Sequence, residues 1–207
     1  MEIKDINILE FLKDAKFLGN GASKEAYLKN GIVYKIPRGS NRIVRSAEWY
    51  KKLHYPELGF DNLSTFADEV YCYDESMVWP LGQFVTEIII WNVLKAKEMV
   101  KQVSLKNFAR ILNYYKDKNG IIVIEQEYTT PLPNDYHFGK ILKQMKDLGK
   151  QLCDLTNIEI RDYREDNFGI GTDGIPKLFD FGLSSGNPLD YFSGYSDAYD
   201  YDYDSSY

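Results

Sequence analysis

Apolar side chains recur at helical spacing at the start of the chain, between Ile3 and Leu12, and this period predicts a short leading helix. The period then changes. The segment KFLGNGASKEAYLKNGIVYKIPRG, residues 16–39, has the short apolar runs that predict three strands. An Asn-Gly pair at positions 30 and 31 is the favoured two-residue hairpin turn, so the last two of these strands are predicted to pair.

Further along the chain, helical and strand patterns alternate. Apolar residues close to one face predict a helix over residues 83–98. Two strand patterns, ARILNYYKD and IIVIEQEYT, follow it and are joined by a Lys-Asn-Gly turn. A second amphipathic helix is predicted over 138–155, and a small hairpin is predicted from the strand at 168–170 and the segment PKLFDFG.

Two regions lack this clear patterning. Within residues 40–82, only 43–53 has a helical period, and the remainder mixes turn residues with aromatics. Residues 190–207 are a low-complexity run of Tyr, Asp, Ser and Gly. We expect this second region to be an acidic, disordered tail.

Composition fits one compact domain of 207 residues, because 44% of them are hydrophobic. The net charge of -6 is mostly a property of residues 190–207, which hold five Asp and no Lys or Arg. A locally basic run from Lys95 to Lys106 is best interpreted as a solvated helix face. No basic stripe therefore indicates a nucleic-acid partner.

Metal and redox chemistry based on Cys and His are disfavoured. Cys72 and Cys153 cannot form a disulfide framework, and His54 and His137 stand apart from any metal-ligand spacing. The N-terminal segment lacks the uninterrupted apolar core of a signal peptide. The longest apolar run, at 88–91, is too short to span a bilayer. A cytoplasmic location without a membrane partner is expected.

The strongest chemical pattern combines Asp162, Asn167 and Asp180. Phosphoryl transfer needs a group that accepts or orients the attacking hydroxyl, together with oxygen ligands for Mg²⁺. A loop carrying Asp and then Asn, beside a hairpin whose second strand leads into Asp, brings these groups from two adjacent backbones.

On these residues the chain resembles the protein-kinase superfamily. RDYREDN is similar to the catalytic loop of the family, and FDFG to its metal-binding motif. The resemblance implies Asp162 as catalytic base, with Asn167 and Asp180 as Mg²⁺ ligands. It also implies that Arg164 presents a positive charge to the transferred phosphate. The chain departs from the family at Ile160, where His usually precedes Arg-Asp.

The segment LGNGASKEAYL resembles the family's glycine-rich loop, which covers the phosphates of ATP. Gly19 and Gly21 match, but Lys24 stands where the third glycine is expected. The motif VYKIP follows at the third strand. By resemblance, its Lys35 contacts the α- and β-phosphates.

Two further sets of contacts follow from the same resemblance. Lys35 needs a carboxylate partner, for which Glu87 is favoured over Glu48. Alignment of VIEQEYT with the family's hinge puts Gln126 at the gatekeeper position. Backbone groups of Glu127 and Thr129 are then expected to bind adenine.

The predicted fold class is α+β, a kinase-like two-lobed fold with a five-stranded first lobe and a minimal second lobe. The predicted boundaries are 1–128 for the first lobe, with 40–82 an unassigned insertion, 129–189 for the second lobe, and 190–207 for the tail. The expected activity is ATP- and Mg²⁺-dependent transfer of phosphate to a protein hydroxyl, on a protein substrate or on the chain itself.

Alternatives remain open at this level. Only 25 residues follow Gly182, so the usual peptide-docking platform is not expected, and a second copy or a partner is expected to cover the small second lobe. A pseudokinase acting as a nucleotide-binding or scaffolding module is one alternative. A small-molecule kinase related to aminoglycoside phosphotransferases is another, although these carry His-Gly-Asp where this chain has Ile-Arg-Asp. The short length of the chain for a kinase-like fold suggests a viral, phage or mobile-element source. The expected location is then the cytoplasm of the host.

Overall fold

A computed structural model describes residues 2, 4–21, 24–38, 84, 87–88, 90–95, 98, 104–134, 136–156, 159–160, 162–182 and 184–185. Its main feature is a five-stranded antiparallel sheet in the order β1-β2-β3-β5-β4. The strands are β1 (Lys16–Asn20), β2 (Lys24–Lys29), β3 (Ile32–Pro37), β4 (Ile111–Lys116) and β5 (Ile122–Glu127).

The two predicted hairpins of this sheet form at their predicted turns. Asn30 and Gly31 have φ of 52° and 77° between β2 and β3, the left-handed conformations that a two-residue primed turn requires. Gly120, with φ of 86°, ends the turn between β4 and β5. The five-stranded sheet fits the first lobe expected of a kinase-like fold.

The leading helix is shorter than predicted. Helix α1 is Ile8–Phe11, and Asn7 caps it by accepting a hydrogen bond from the backbone N–H of Glu10 at 3.3 Å. The residues before it pair with β4 instead, because Lys4 N donates to Lys116 O at 2.9 Å and Lys116 N donates to Glu2 O at 3.0 Å. The predicted start at Ile3 was therefore wrong, since backbone pairing with a distant strand replaces the first helical turn.

Two further helical regions are described after the first three strands. Helical residues between 84 and 98, called α2 here, are described at 84, 87–88, 90–95 and 98. Helix α3 is Phe138–Thr156 and occupies the predicted position. The sequence-based assignments within 40–82 and 190–207 lie outside the described residues, and the predicted domain boundaries stay predictions.

Short strands complete the second half of the chain. A three-stranded antiparallel sheet has the order β6-β8-β9, and a two-stranded one pairs β10 with β7. A short 3-10 helix, Glu165–Asn167, precedes β8. The strands are β6 (Thr130–Pro131), β7 (Glu159–Ile160), β8 (Phe168–Ile170), β9 (Pro176–Leu178) and β10 (Ser184–Ser185).

One apolar cluster connects the five-stranded sheet to α2, α3 and the short strands after α3. It contains buried residues of α2, β4, β5, α3, β7, β8 and β9, together with Phe181. Phe181 packs edge-on against Phe108, with ring centroids 5.5 Å apart. Since burial of apolar surface is the main stabilising term in folding, the segment that carries Asp180 is anchored by the same core that holds α2 and α3.

A second cluster packs α1 against the other face of the sheet, around Ile8, Tyr34 and Tyr115. Asp117 closes this region from the end of β4, because its carboxylate accepts hydrogen bonds from the N–H groups of Ile8, Asn119 and Ile121 at 2.8–3.0 Å. Among the described helices, none has the length and apolar character needed to cross a bilayer.

Candidate functional site

Lys35 occupies the middle of β3, where its side chain is 4% exposed. Its Nζ donates to Glu87 Oε1 and to the backbone oxygen of Phe179, both at 2.5 Å. The lysine therefore joins the sheet, helix α2 and the segment after β9 at a single point.

Glu87 is fully buried and lies on α2. Besides Lys35, it binds the ammonium of Lys24 through Oε2, and Gln126 Nε2 donates to its Oε1 at 3.5 Å. Of the two carboxylates considered for Lys35, Glu87 is therefore the one in contact. Glu48 lies outside the described residues.

Lys24 is the unexpected member of the site. It begins β2, and Ala26, two residues along the same strand, pairs with Lys35. Because side chains two residues apart share one face of a strand, both lysines point to the same side of the sheet. Lys24 Nζ also donates to Asp180 Oδ1 at 2.6 Å. Two ammonium groups and two carboxylates thus form a four-residue cluster of opposite charges.

The pKa values follow from this mutual pairing. Burial lowers the pKa of Lys24, but the charges of Glu87 and Asp180 outweigh it and raise that pKa overall. Lys35 has a lowered pKa, since burial is the larger effect there and the neighbouring Lys24 charge adds to it. Although burial raises the pKa of Asp180, the two lysines and the Gly182 N–H lower it to about 2. Asp180 is therefore a carboxylate at neutral pH.

The loop before β8 carries the other predicted catalytic residues. Asp162 is 19% exposed, and its Oδ1 accepts a hydrogen bond from Arg164 Nε at 2.9 Å. This neighbouring carboxylate raises the pKa of the Arg164 guanidinium. Asn167 is buried, and its Nδ2 donates to the backbone oxygen of Asp162 at 3.1 Å. The Asn167 side chain thus fixes the backbone position of Asp162.

Asn167 also connects this loop to the Asp180 segment, because Phe179 N donates to Asn167 O at 2.9 Å. Across the described residues, no group of three or more His, Cys, Asp and Glu side chains is arranged to hold a metal ion. Mg²⁺ needs fewer protein ligands when phosphate oxygens and water complete its shell. The Asp180 carboxylate and the side-chain oxygen of Asn167, on hydrogen-bonded neighbouring segments, are donor types that fit this ion.

The two glycines of the predicted glycine-rich loop, Gly19 and Gly21, have open space around them. Among the described residues, a Cβ atom built on Gly19 or on Gly21 meets no heavy atom within 4 Å. Gly21 N donates to Lys24 O at 2.9 Å, which closes the turn between β1 and β2. The turn therefore ends at the residue whose ammonium reaches Asp180.

The two residues predicted to bind adenine, Glu127 and Thr129, have different side-chain contacts. The Glu127 carboxylate binds the backbone N–H and Nε of Arg110 at 2.8 and 3.0 Å, and the buried Nζ of Lys177 at 2.9 Å. Its side chain is thus committed to joining β5 to β9, and its backbone N–H donates to Arg110 O at 2.9 Å. Thr129 packs against Gly169, where an added Cβ would lie 2.5 Å from Thr129 Oγ1.

Sequence reasoning missed Lys24 as a site residue and recorded it only as a departure from a glycine pattern. The available signal was its register. Lys24 lies two residues before Ala26, and the Asn-Gly turn sets Ala26 opposite Lys35. Lys177 was missed as well, because a lysine on a short strand gives no sign of being buried.

Comparison with known proteins gives little beyond this geometry. No protein-family model matches the chain, and no curated protein matches it either. Among solved structures, a chain in the CAK complex from Chaetomium thermophilum bound to ATP-gamma-S is similar, with a TM-score of 0.40 and 16% identity. The match covers 87% of this chain but only 51% of that one, so this chain spans about half the length of its structural neighbour.

Proposed function

We propose that the protein is an ATP- and Mg²⁺-dependent phosphotransferase that moves the γ-phosphate to a protein hydroxyl. The observation that carries this proposal is the buried Lys35–Glu87 pair, held next to the Asp180 segment, which is hydrogen-bonded to the Asp162 loop through Phe179 N and Asn167 O. A lysine fixed by a carboxylate and a neighbouring ionised Asp are the groups that position a polyphosphate for transfer.

In this proposal the ammonium of Lys35 binds phosphate oxygens, and Asp162 accepts the proton of the attacking hydroxyl. A bond forms between that hydroxyl oxygen and the γ-phosphorus, while the bond from the γ-phosphorus to the bridging oxygen breaks and ADP leaves. Arg164, 66% exposed beside Asp162, offers its positive charge to the transferred phosphate.

The groups proposed to hold Mg²⁺ are the Asp180 carboxylate and the Asn167 amide oxygen. When bound, the ion would neutralise phosphate charge and favour an in-line arrangement. Adenine is proposed to bind backbone groups of Glu127 and Thr129. The Asn167 bond to the Asp162 backbone keeps the base in place.

The experiment incubates the purified protein with Mg²⁺ and γ-labelled ATP, with a generic protein acceptor present and absent. We expect transfer by the wild-type protein and loss of transfer by at least about 100-fold in Asp162→Asn, because the general base contributes roughly 10²–10⁴-fold. Lys35→Ala should also reduce the rise in melting temperature that Mg²⁺-ATP produces.

Asp162→Asn should retain that rise, since Asp162 is not a nucleotide-binding group in the proposal. Equal labelling by the wild-type and Asp162→Asn proteins would contradict the proposal. So would the absence of any Mg²⁺-dependent stabilisation at millimolar ATP.

One observation favours a second candidate, a nucleotide-binding module without transfer. Lys24 already donates to Asp180 Oδ1, which is the oxygen donor that transfer chemistry needs for Mg²⁺. In that case ATP should stabilise the protein equally with Mg²⁺ and with EDTA, and no acceptor should be labelled.

A further inference from the structure

We infer that Lys24 is an internal counter-ion that keeps divalent cations away from Asp180 until a polyphosphate arrives. The inference deepens the proposed function, on whose metal site it rests. It assigns Lys24 a role in ordering the binding of nucleotide and metal.

The first step in the argument is the geometry of Lys24. Its ammonium is inserted between Glu87 and Asp180, and its side chain is only 6% exposed. The contact with Asp180 Oδ1, at 2.6 Å, occupies one oxygen of the carboxylate proposed to bind Mg²⁺. A cation bound to this oxygen would lie beside the ammonium, and the two positive charges would repel each other.

The second step is the charge of the cluster. Lys24 and Lys35 contribute two positive charges, and Glu87 and Asp180 contribute two negative ones. The cluster is therefore neutral, and a divalent cation alone would leave it with two uncompensated positive charges in a largely buried place. Uncompensated buried charge is costly.

When a polyphosphate binds together with the divalent cation, the added net charge is negative instead of positive. Fully ionised ATP carries four negative charges and a divalent cation two positive ones, so the two together bring a net charge of minus two. Lys24 can then keep its contact with Glu87 and turn from Asp180 to a phosphate oxygen, which suits the point charge of an ammonium. Asp180 becomes available to the metal only in that state.

The test measures Mn²⁺ binding by electron paramagnetic resonance, on the full chain without nucleotide. Lys24→Met removes the ammonium while Glu87 keeps Lys35 as its partner. An opposite charge within about 4–6 Å changes the proton affinity of a carboxylate by roughly tenfold or more. By the same electrostatic argument, we expect Lys24→Met to bind Mn²⁺ at least about tenfold more tightly than wild type. Adding Asp180→Asn to Lys24→Met should remove the gain.

The matched control is Lys29→Met, on the same strand. Lys29 Nζ donates to Phe11 O at 2.6 Å and pairs with Asp14, away from the cluster. Mn²⁺ affinity should stay at the wild-type value in this variant. A non-hydrolysable ATP analogue should raise Mn²⁺ affinity more in wild type than in Lys24→Met.

Equal Mn²⁺ affinity of wild type and a folded Lys24→Met protein would overturn the inference. If Lys24→Met does not fold, Lys24→Gln replaces it, and the wild-type protein provides an independent criterion. Tight Mn²⁺ binding by nucleotide-free wild type that Asp180→Asn abolishes would also reject the role of Lys24. If Lys24→Met binds Mn²⁺ more tightly than wild type but the wild-type protein transfers no phosphate, the proposed function is rejected and the inference stands.

Discussion

At the residue scale, the position of Asp180 is set by contacts of its carboxylate and of the backbone on both sides of it. Lys24 holds its Oδ1, the Gly182 N–H lowers its pKa together with the two lysines, and Phe181 anchors the adjacent backbone in the core. Lys35 adds a bond to Phe179 O on the other side. These contacts fix the carboxylate in place, which is the preorganisation that the proposed phosphoryl transfer would require.

The Asp180→Asn variant therefore tests the charge of this side chain separately from its shape. The amide keeps the shape of the side chain but loses the charge that attracts Mg²⁺. Loss of a residue that only supports a metal ligand already costs about 10- to 100-fold in activity. We therefore expect Mg²⁺-dependent transfer to fall by at least about 100-fold when the proposed ligand itself is replaced. Labelled phosphate transfer and circular dichroism together would measure activity and folding.

The control for that variant is Asp14→Asn. Asp14 is 79% exposed and pairs with Lys29 at the far end of β2, so transfer should be unchanged. Retention of full Mg²⁺-dependent activity by Asp180→Asn would show that Asp180 is not a metal ligand.

At the element scale, the junction of α1 with the β4–β5 hairpin depends on one side chain. The buried carboxylate of Asp117 satisfies the backbone N–H groups of Ile8, Asn119 and Ile121. Unsatisfied buried N–H groups cost about 1–3 kcal/mol each. We expect Asp117→Ala to lower the free energy of unfolding by about 3 kcal/mol or more, as measured by urea denaturation.

Two companion variants make this measurement decisive. Asp117→Asn keeps one oxygen acceptor and should lose only part of the stability, while Asp14→Ala, at an exposed position, should leave the free energy of unfolding close to the wild-type value. If Asp117→Ala and Asp14→Ala unfold at the same urea concentration, Asp117 does not hold the junction.

The elements that sequence predicted well are those whose signals are local. The β2–β3 hairpin follows from apolar runs on either side of Asn30 and Gly31, and α3 follows from its own apolar face. The leading helix was predicted too long because Lys4 pairs with Lys116, and no local pattern records a partner that far along the chain.

The candidate site was predictable to the extent that it depends on motif spacing. Lys35, Asp162, Asn167 and Asp180 were identified from the sequence as one set. The bond from Lys24 to Asp180 joins residues separated by 156 positions, and only the packing of α2 and β9 against the sheet brings them together. A motif comparison therefore treated Lys24 as a missing glycine.

At the scale of the whole molecule, residues 190–207 follow the candidate site closely in sequence and carry six Tyr and four Ser. A hydroxyl on a short tether has an effective concentration of about millimolar near the site. We therefore expect Tyr or Ser residues in 190–207 to become phosphorylated during incubation with Mg²⁺ and ATP. Intact-mass and peptide mass spectrometry would detect this modification.

The extent of modification should be partial and sensitive to salt, because each phosphate adds nearly two negative charges beside five Asp residues. Asp162→Asn should eliminate it, and deletion of 190–207 should leave ATP-induced stabilisation intact. Labelling of an added protein without any gain of phosphate by the chain would reject residues 190–207 as an acceptor.

The shared apolar cluster has a genetic consequence. Phe181 packs on Phe108 in the same cluster that contains Met145 and Leu178, so a substitution that loosens this cluster also loosens the backbone next to Asp180. Loss-of-function alleles of this protein should then fall into two groups. One would map to the charged residues and fail at every temperature, and the other would map to core positions such as Phe108 and be conditional, active in the cold and inactive when warmed.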